Sequence, residues 1–594
     1  MLATVAAIAV VFFAFGLCAD PIPGINEPHY LGKARHFWDP RWCAGDLFLE
    51  SANAHVVFYA TFGWLTVLFG LQTAAVLGRA LACTVLAWGW TAMVRVLTAR
   101  LQPDVATQHR AADACVGRPA SLPARRRSPL QSPLSAAAVW LSAAAYLSLY
   151  LCGGLAGEWM VGGVEGKVPA YGLAFAAFAR LAEARWYGAA ALGGLAVAFH
   201  PVAGGWMTIA ALVAVLWEWL PRRGTRSDAT LPCPGLRGLA VAAAVWILAA
   251  APGLIPAARM LLRSDPVAAW QANVIQVYYR LRHHLDPQSI PPAAWIRYGV
   301  LLAGWWWLRR SSIRRDTPPS GSDAFPRNRD GSAGPAPFCE TDPPTQRQNA
   351  VDRARGLETI SARLLARVVV FGIAIASVAV LCGLPGRPEN FGEGKWRLAF
   401  LKLYPLRLLD VMLPVAGAVE LARWICGRRL SADAWRRALP VAAAAGLLAT
   451  IAFAAATPSQ GRMPDAWQPA WVSICGWIRQ HTPPQALCLA PRTYSRTFKW
   501  YAERPEYVNY KDCPQDARSL VEWNRRLRIV QQWASEHYDD NRYSADELAE
   551  LRRRTGIAFL LVRRLGPMTV APDHAIGPFR LYDLRKYDLG EPPD

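Results

Sequence analysis

The sequence predicts a predominantly α-helical, polytopic membrane protein with a small α/β unit at its C-terminal end. Three observations predict it. Of 594 residues, 53% are hydrophobic, with 26 Trp and a mean hydropathy of +0.15. Apolar runs recur along the chain, and many approach the ~20 residues that cross a hydrocarbon core. After Thr457 the pattern changes, and charged amphipathic and strand-like segments replace the apolar runs.

The first run, Leu2–Cys18, lacks a basic leading region and a clean small-residue cleavage pattern, so it reads as a retained helix rather than a signal peptide. Further spans are expected at Gly78–Thr98, Leu134–Cys152, Val168–Glu183, Trp186–Phe199 and Val202–Leu220. Leu239–Leu261, Ala294–Leu308, Val368–Leu384, Pro405–Cys426 and Pro440–Ala456 complete a set of about eleven. Together, 1–456 form the membrane domain, and 20–77 form its first external loop. His55–Leu77 is apolar enough to span, but counting it would invert every later connection. It is therefore expected as a juxtamembrane helix at the outer interface.

Net charge is +21, concentrated between spans. Arg95–Arg127, Arg222–Arg237, Arg309–Arg367 and Arg428–Arg437 are basic connections, which the positive-inside rule places in the cytoplasm. The charge thus reports topology in a bacterial inner membrane, and nucleic acid is not the partner it points to. The opposite face receives Pro21–Leu77, Gly153–Lys167, Arg263–Pro292, Pro385–Tyr404 and everything after Thr457. Asp316–Gly356, taken with its flanks as 311–362, is rich in Pro, Gly, Ser, Asp and Arg and reads as a disordered cytoplasmic linker.

Residues 457–594 are long enough to bury their own core on the extracytoplasmic side. Trp467–His481 and Ala517–Glu536 read as helices; Gln485–Ala490, Ile557–Val562 and Phe579–Leu584 read as strands. The twelve cysteines include no C-x-x-C, and one bridge among Cys475, Cys488 and Cys513 is compatible with the pattern.

No phosphate-binding glycine loop, H-E-x-x-H or G-x-S-x-G occurs. That excludes ATP-driven pumps and the common metalloproteases and serine hydrolases as first readings. What gathers on the predicted outer face is carboxylates, histidines and cations: Glu27, His29, Asp46, Glu158, Glu165, Lys167, His200, His283, His284, Lys395, Arg397 and Arg407. A carboxylate can take a proton from an acceptor hydroxyl or amine, while Arg and Lys hold a phosphate leaving group. Such a face suits glycosyl transfer from a lipid-phosphate donor. Each residue also has a plain structural use. Asp46 could cap a helix, Glu165 could pair with Lys167, His200 could pack at its turn before Pro201, and Arg397 and Arg407 could snorkel to headgroups. His283 and His284 could bind metal, but adjacent histidines usually point apart. A divalent metal ion is compatible with carboxylates beside a phosphate, and no ligand spacing demands one.

The stretch NEPHYLGKARHFWDPRWCAGDLFLES (26–51), following an apolar first helix, resembles the first external loop of membrane-embedded GT-C glycosyltransferases. Protein O-mannosyltransferases and lipid A aminoarabinose transferases share that arrangement, and an uncharacterised bacterial membrane family with the same N-E-x-H-Y opening is closer still. The resemblance implies an inverting enzyme that uses a polyprenyl-phosphate-linked sugar and a lipid, glycan or protein acceptor. Asn26-Glu27 with Tyr30 matches the loop's acidic pair, and Gly45-Asp46 its later element. Glu158 with Glu165-Gly166-Lys167 matches a second acidic site. The first member of the pair is an amide here, so Glu27 or Asp46 is expected as the base, with Glu165 and Lys167 positioning the acceptor and Arg397 and Arg407 holding donor phosphate. The rival expectations are a non-catalytic lipid- or glycan-binding protein of the same fold and, further off, a transporter.

Overall fold

The computed structural model describes residues 1–99, 133–220, 230–262, 264–316, 344–427, 432–457, 463–537 and 542–587. Arg100–Arg127, Arg222–Arg226, Arg428–Arg429 and the linker from 317 to 343 lie outside the described residues. Every apolar segment expected to span falls within a helix, among them Leu2–Ala19, Pro133–Leu151, Lys167–Ala182, Trp186–Phe199 and Leu406–Cys426. Among the described residues, five helices are by themselves long and apolar enough to cross a membrane: Leu2–Ala19, Val56–Leu97, Pro201–Trp219, Gly235–Leu262 and Arg353–Gly383. The expected count of about eleven is not reached on that measure, because helices such as Trp186–Phe199 are too short.

His55–Leu77 is not a separate element. It opens the long Val56–Leu97 helix, which bends at Gly70, a residue at φ 73 and ψ 168. That backbone region is essentially glycine-only, so the bend is written into the residue type. The segment before the bend packs on the first-loop helix Glu27–Trp38, where Trp38 Nε1 donates to the Tyr59 carbonyl at 3.0 Å. Beyond the bend, Gly89 meets Gly172 of Lys167–Ala182 so closely that a Cβ on Gly89 would collide with the Gly172 carbonyl oxygen. Small residues let those two backbones touch. The membrane core is continuous, with Trp90, Phe12, Phe15 and Phe175 fully buried.

After residue 463, four strands form one sheet in the order β1 (Cys488–Leu489), β2 (Phe559–Val562), β4 (Phe579–Asp583), β3 (His574–Ile576). β1 and β2 are parallel and the other pairs antiparallel. The pleat of β2 explains the layering. Phe559 and Leu561 point to a core with Trp471 and Ile474 of Gln468–His481. Leu560 and Val562 point the other way, to Trp523 and Trp533 of Ala517–Glu536 and Leu548 of Ala545–Thr555. Asp516 caps the first of those helices. A Ser544–Glu547 capping box starts the second, and left-handed Gly556 ends it. The expected strand over Gln485–Ala490 shortens to two residues, and His574–Ile576 carries no run long enough to have announced it. Cys475, Cys488 and Cys513 are all free thiols, so the bridge considered from sequence is absent.

Candidate functional site

The site is built on the loop between Leu151 and Lys167, and two buried carboxylates hold that loop at its ends. Asp410, on Leu406–Cys426, accepts from Leu155 N at 2.5 Å, Ala156 N at 3.0 Å and Glu158 N at 2.7 Å, and also from the Tyr298 hydroxyl. Glu27 accepts from Val164 N at 3.0 Å, from Gly24 N at 2.7 Å and from Arg79 Nε at 2.6 Å. Arg79 in turn donates to the Gly16 carbonyl at 2.9 Å. Glu27 is completely buried and both its oxygens are engaged, so it clamps the loop and presents nothing to an acceptor.

Between the clamps, the loop displays a ladder of charges. The Asn26 amide donates to Glu165 Oε1. Glu165 Oε2 lies 3.3 Å from Lys167 Nζ, which lies 3.6 Å from Glu158 Oε2. The same Glu158 oxygen is 2.9 Å from Arg407 Nε, and Glu158 Oε1 accepts from the Tyr171 hydroxyl at 3.1 Å. Lys167 sits 4.0 Å from the Trp159 ring centroid and Arg407 3.7 Å from that of Tyr404, which places both cations over aromatic faces. The ladder thus joins the first loop, the loop between Leu151 and Lys167 and the start of the Leu406–Cys426 helix.

Two further cations, Arg280 and Lys511, lie beside it. Arg280 Nη2 donates to the Lys511 carbonyl at 3.0 Å. The Lys511 amine is pulled down to about 8 by burial and by Arg280, while Glu165 partly opposes the shift. That opposition places Lys511 within electrostatic reach of the ladder. Arg280 lies in a π-helical turn, Gln276–Arg280, a local irregularity that often marks a working site.

Asp46 belongs to a second cluster. Its Oδ1 caps Leu47–Glu50 by accepting from Phe48 N and Leu49 N, both at 3.0 Å. Its Oδ2 accepts from Glu506 N at 3.1 Å and lies 3.0 Å from Lys499 Nζ. The Lys499 ammonium also lies 3.0 Å from Glu506 and 2.7 Å from Asp512. Burial alone would discharge such a lysine, but the acidic groups of Asp46, Asp512 and Glu506 hold its amine well above the usual range. Burial also disfavours the Asp512 charge, yet Lys499 and His29 keep that carboxyl below its ordinary range. His29 Nδ1 lies 3.0 Å from Asp512 Oδ1, and the His29 ring stacks on Phe48. Burial lowers the His29 imidazole, so it serves as a neutral donor to Asp512.

The other candidates disperse. Tyr30 packs edge-on to Phe58 and beside His29, next to the ladder. His200 caps Pro201–Trp219 by accepting from Ala203 N at 3.1 Å, and burial beside His55 holds it neutral. The His283 and His284 rings lie 3.9 Å apart, tilted by 43°, and His284 Nδ1 meets the Ala156 carbonyl at 2.5 Å, bracing the acidic loop. Arg397 Nη1 donates to the Tyr278 hydroxyl and to the carbonyls of Cys382 and Gly386, so it ties a turn together. Lys395 rides 5.1 Å from the Phe391 ring. Among the described residues no group of three or more His, Cys, Asp or Glu is arranged to hold a metal ion. Where Asp46, Glu506 and Asp512 do converge, the Lys499 ammonium fills the space between them, so that donor set does not fit a divalent ion.

The profile of a domain of unknown function (DUF6798) matches residues 469–530. No curated protein matches. Among solved structures, the chain is similar to the oligosaccharyltransferase of Archaeoglobus fulgidus in the apo form, at 12% identity and TM-score 0.41, over 95% of this chain and 69% of that one. A second structure, AglB of the same organism with an inhibitory peptide and a dolichol-phosphate, gives 12% and 0.40 over 94% and 69%. ArnT from Cupriavidus metallidurans in the apo state gives 14% and 0.34 over 96% and 93%. These are distant likenesses of architecture, and the chemistry has to come from this chain's own residues.

Proposed function

We propose that the protein is a GT-C-like inverting glycosyltransferase of the bacterial inner membrane. It transfers a sugar from a polyprenyl-phosphate donor to an acceptor on the extracytoplasmic face, where the segment after Thr457 lies. One observation carries this reading: the ladder Asn26–Glu165–Lys167–Glu158–Arg407 sets carboxylates and cations side by side, with Lys511 and Arg280 adding positive charge.

In this reading Glu165 is the base, replacing Glu27 and Asp46, whose oxygens are taken up by backbone N–H groups, Arg79 and Lys499. The Asn26 amide orients Glu165 as the acceptor O–H proton passes to it. The acceptor oxygen bonds to the anomeric carbon from the face opposite the phosphate, and the bond from that carbon to the phosphate oxygen breaks. Arg407, Arg280 and Lys511 stabilise the charge left on the departing polyprenyl phosphate. Lys167 lies between Glu158 and Glu165, fixing their separation. Tyr30 and Trp159 offer aromatic surface beside the sugar.

The test is turnover of a panel of radiolabelled polyprenyl-phosphate sugars in nanodiscs. Glu165→Gln should cut label transfer by about 100-fold or more, the usual contribution of a positioned base, with donor binding retained. Donor that binds and never turns over in wild type would instead identify a binding protein. No donor binding at all would return the transporter reading.

A further inference from the structure

A cavity of about 330 Å³ lies in the C-terminal segment, apart from the ladder. Leu527 and Val530 of Ala517–Glu536 form one wall, Leu560 and Val562 of β2 another, and Tyr279 and Tyr510 close one side. Its size falls at the lower end for small-molecule pockets. Its lining is largely apolar, but Arg492, Arg563 and Arg564 also border it. Arg492 lies 3.9 Å from the Tyr510 ring centroid, and Arg563 lies 4.2 Å from that of Trp467. Among the described residues none of the three arginines makes an ion pair with a carboxylate. Guanidinium groups stacked on rings, without an internal anion, at the edge of an oily cavity suit one kind of ligand: an anion with an apolar body.

The position of the cavity gives that ligand a use. Tyr510 is flanked by Arg492 on the cavity side and by Arg280 at 5.0 Å, and Arg280 holds the Lys511 carbonyl. One tyrosine therefore separates the cavity from the candidate site. We infer that this cavity binds an amphiphilic anion, an alkyl or isoprenyl chain ending in phosphate or carboxylate, and that this amphiphile is the acceptor class. The assignment as acceptor rests on the glycosyltransferase reading; the binding itself does not.

The experiment measures saturable binding of radiolabelled dodecyl phosphate, below its micelle concentration, to the full chain in nanodiscs, with empty nanodiscs as the partition blank. Val530→Trp, which drives an indole into the cavity from its wall and narrows it, should remove one site per chain. Arg492→Ala alters an exposed side chain, so it tests the idea even if the first variant folds poorly; it should weaken that site about tenfold, the loss of one charge-assisted contact. Dodecanol and inorganic phosphate, each lacking one half of the ligand, should not compete. Wild-type binding in both variants, loss confined to Arg407→Ala, competition by inorganic phosphate alone, or no saturable binding would each overturn the inference. Failure of sugar transfer in the assay above leaves this binding result unchanged, so the two ideas fail separately.

Discussion

At the scale of single residues, Asn26 changes meaning once its partner is known. An amide at the first position of the acidic pair reads in the sequence as a lost base. In the structure it donates to Glu165, so the carboxylate has a partner rather than a replacement. Asn26→Asp would press two carboxylates together, and like charges in one site raise the pKa of one of them. We expect transfer near pH 7 to fall about tenfold or more, with the deficit shrinking as the pH rises and both carboxylates ionise; a pH–rate profile of the variant checks it. Glu506 makes a second prediction. Burial raises its carboxyl to about 8, against the pull of Lys499. The folded protein holds a proton there that the unfolded chain releases at ordinary carboxylate pH. Its contribution to stability is therefore fullest in acid and declines as the pH climbs toward 8. Glu506→Gln should flatten that decline, measured as Tm against pH between 5 and 9 in a single detergent.

At the scale of elements, the acidic loop is held as a unit by groups far from it in sequence. Asp410 receives three of its backbone N–H groups, and a charged acceptor with several donors is worth more than the sum of neutral bonds. Asp410→Asn keeps the size and loses the charge. It should cost about 2–4 kcal/mol and free Leu155–Glu158, seen as faster hydrogen exchange confined to that loop and as reduced kcat. The helices themselves were legible from hydropathy, because an apolar run of span length has few other fates. The bend at Gly70 was not: a glycine inside an apolar run reads as a tolerated residue until its φ is known. β3 was illegible for another reason, since three residues carry no periodicity. The site was half legible. Glu158, Glu165, Lys167 and Arg407 came from clustering on one predicted face. Arg79, Lys499 and Arg280 did not, although Arg79 stands alone in an apolar run, and an intramembrane charge is itself a signal.

At the scale of the whole molecule, the first loop and the C-terminal segment are one assembly. His29 and Asp512 are 483 positions apart and in contact, a pairing no local pattern could announce. Lys499 fastens this junction, touching Asp46 on one side and Glu506 and Asp512 on the other. Lys499→Met would leave Asp46 and Asp512 buried without their cation, which should cost about 3–5 kcal/mol. The expected result is a lower Tm together with protease cleavage near the first loop. A loss of under 1 kcal/mol, with the loop still protected, would show that the junction holds without the lysine.

Lys499 also imposes an order on biosynthesis. Asp46 is made along with the first helices, whereas the ammonium that neutralises it is made only after every apolar segment described above. Until then the Asp46 carboxylate lacks that counter-charge, and water is its natural company. The junction between the first loop and the C-terminal segment therefore cannot close while the chain is being threaded. Lysine and three acids thus tie residues made first to residues made late, so this junction closes only once the C-terminal segment is present.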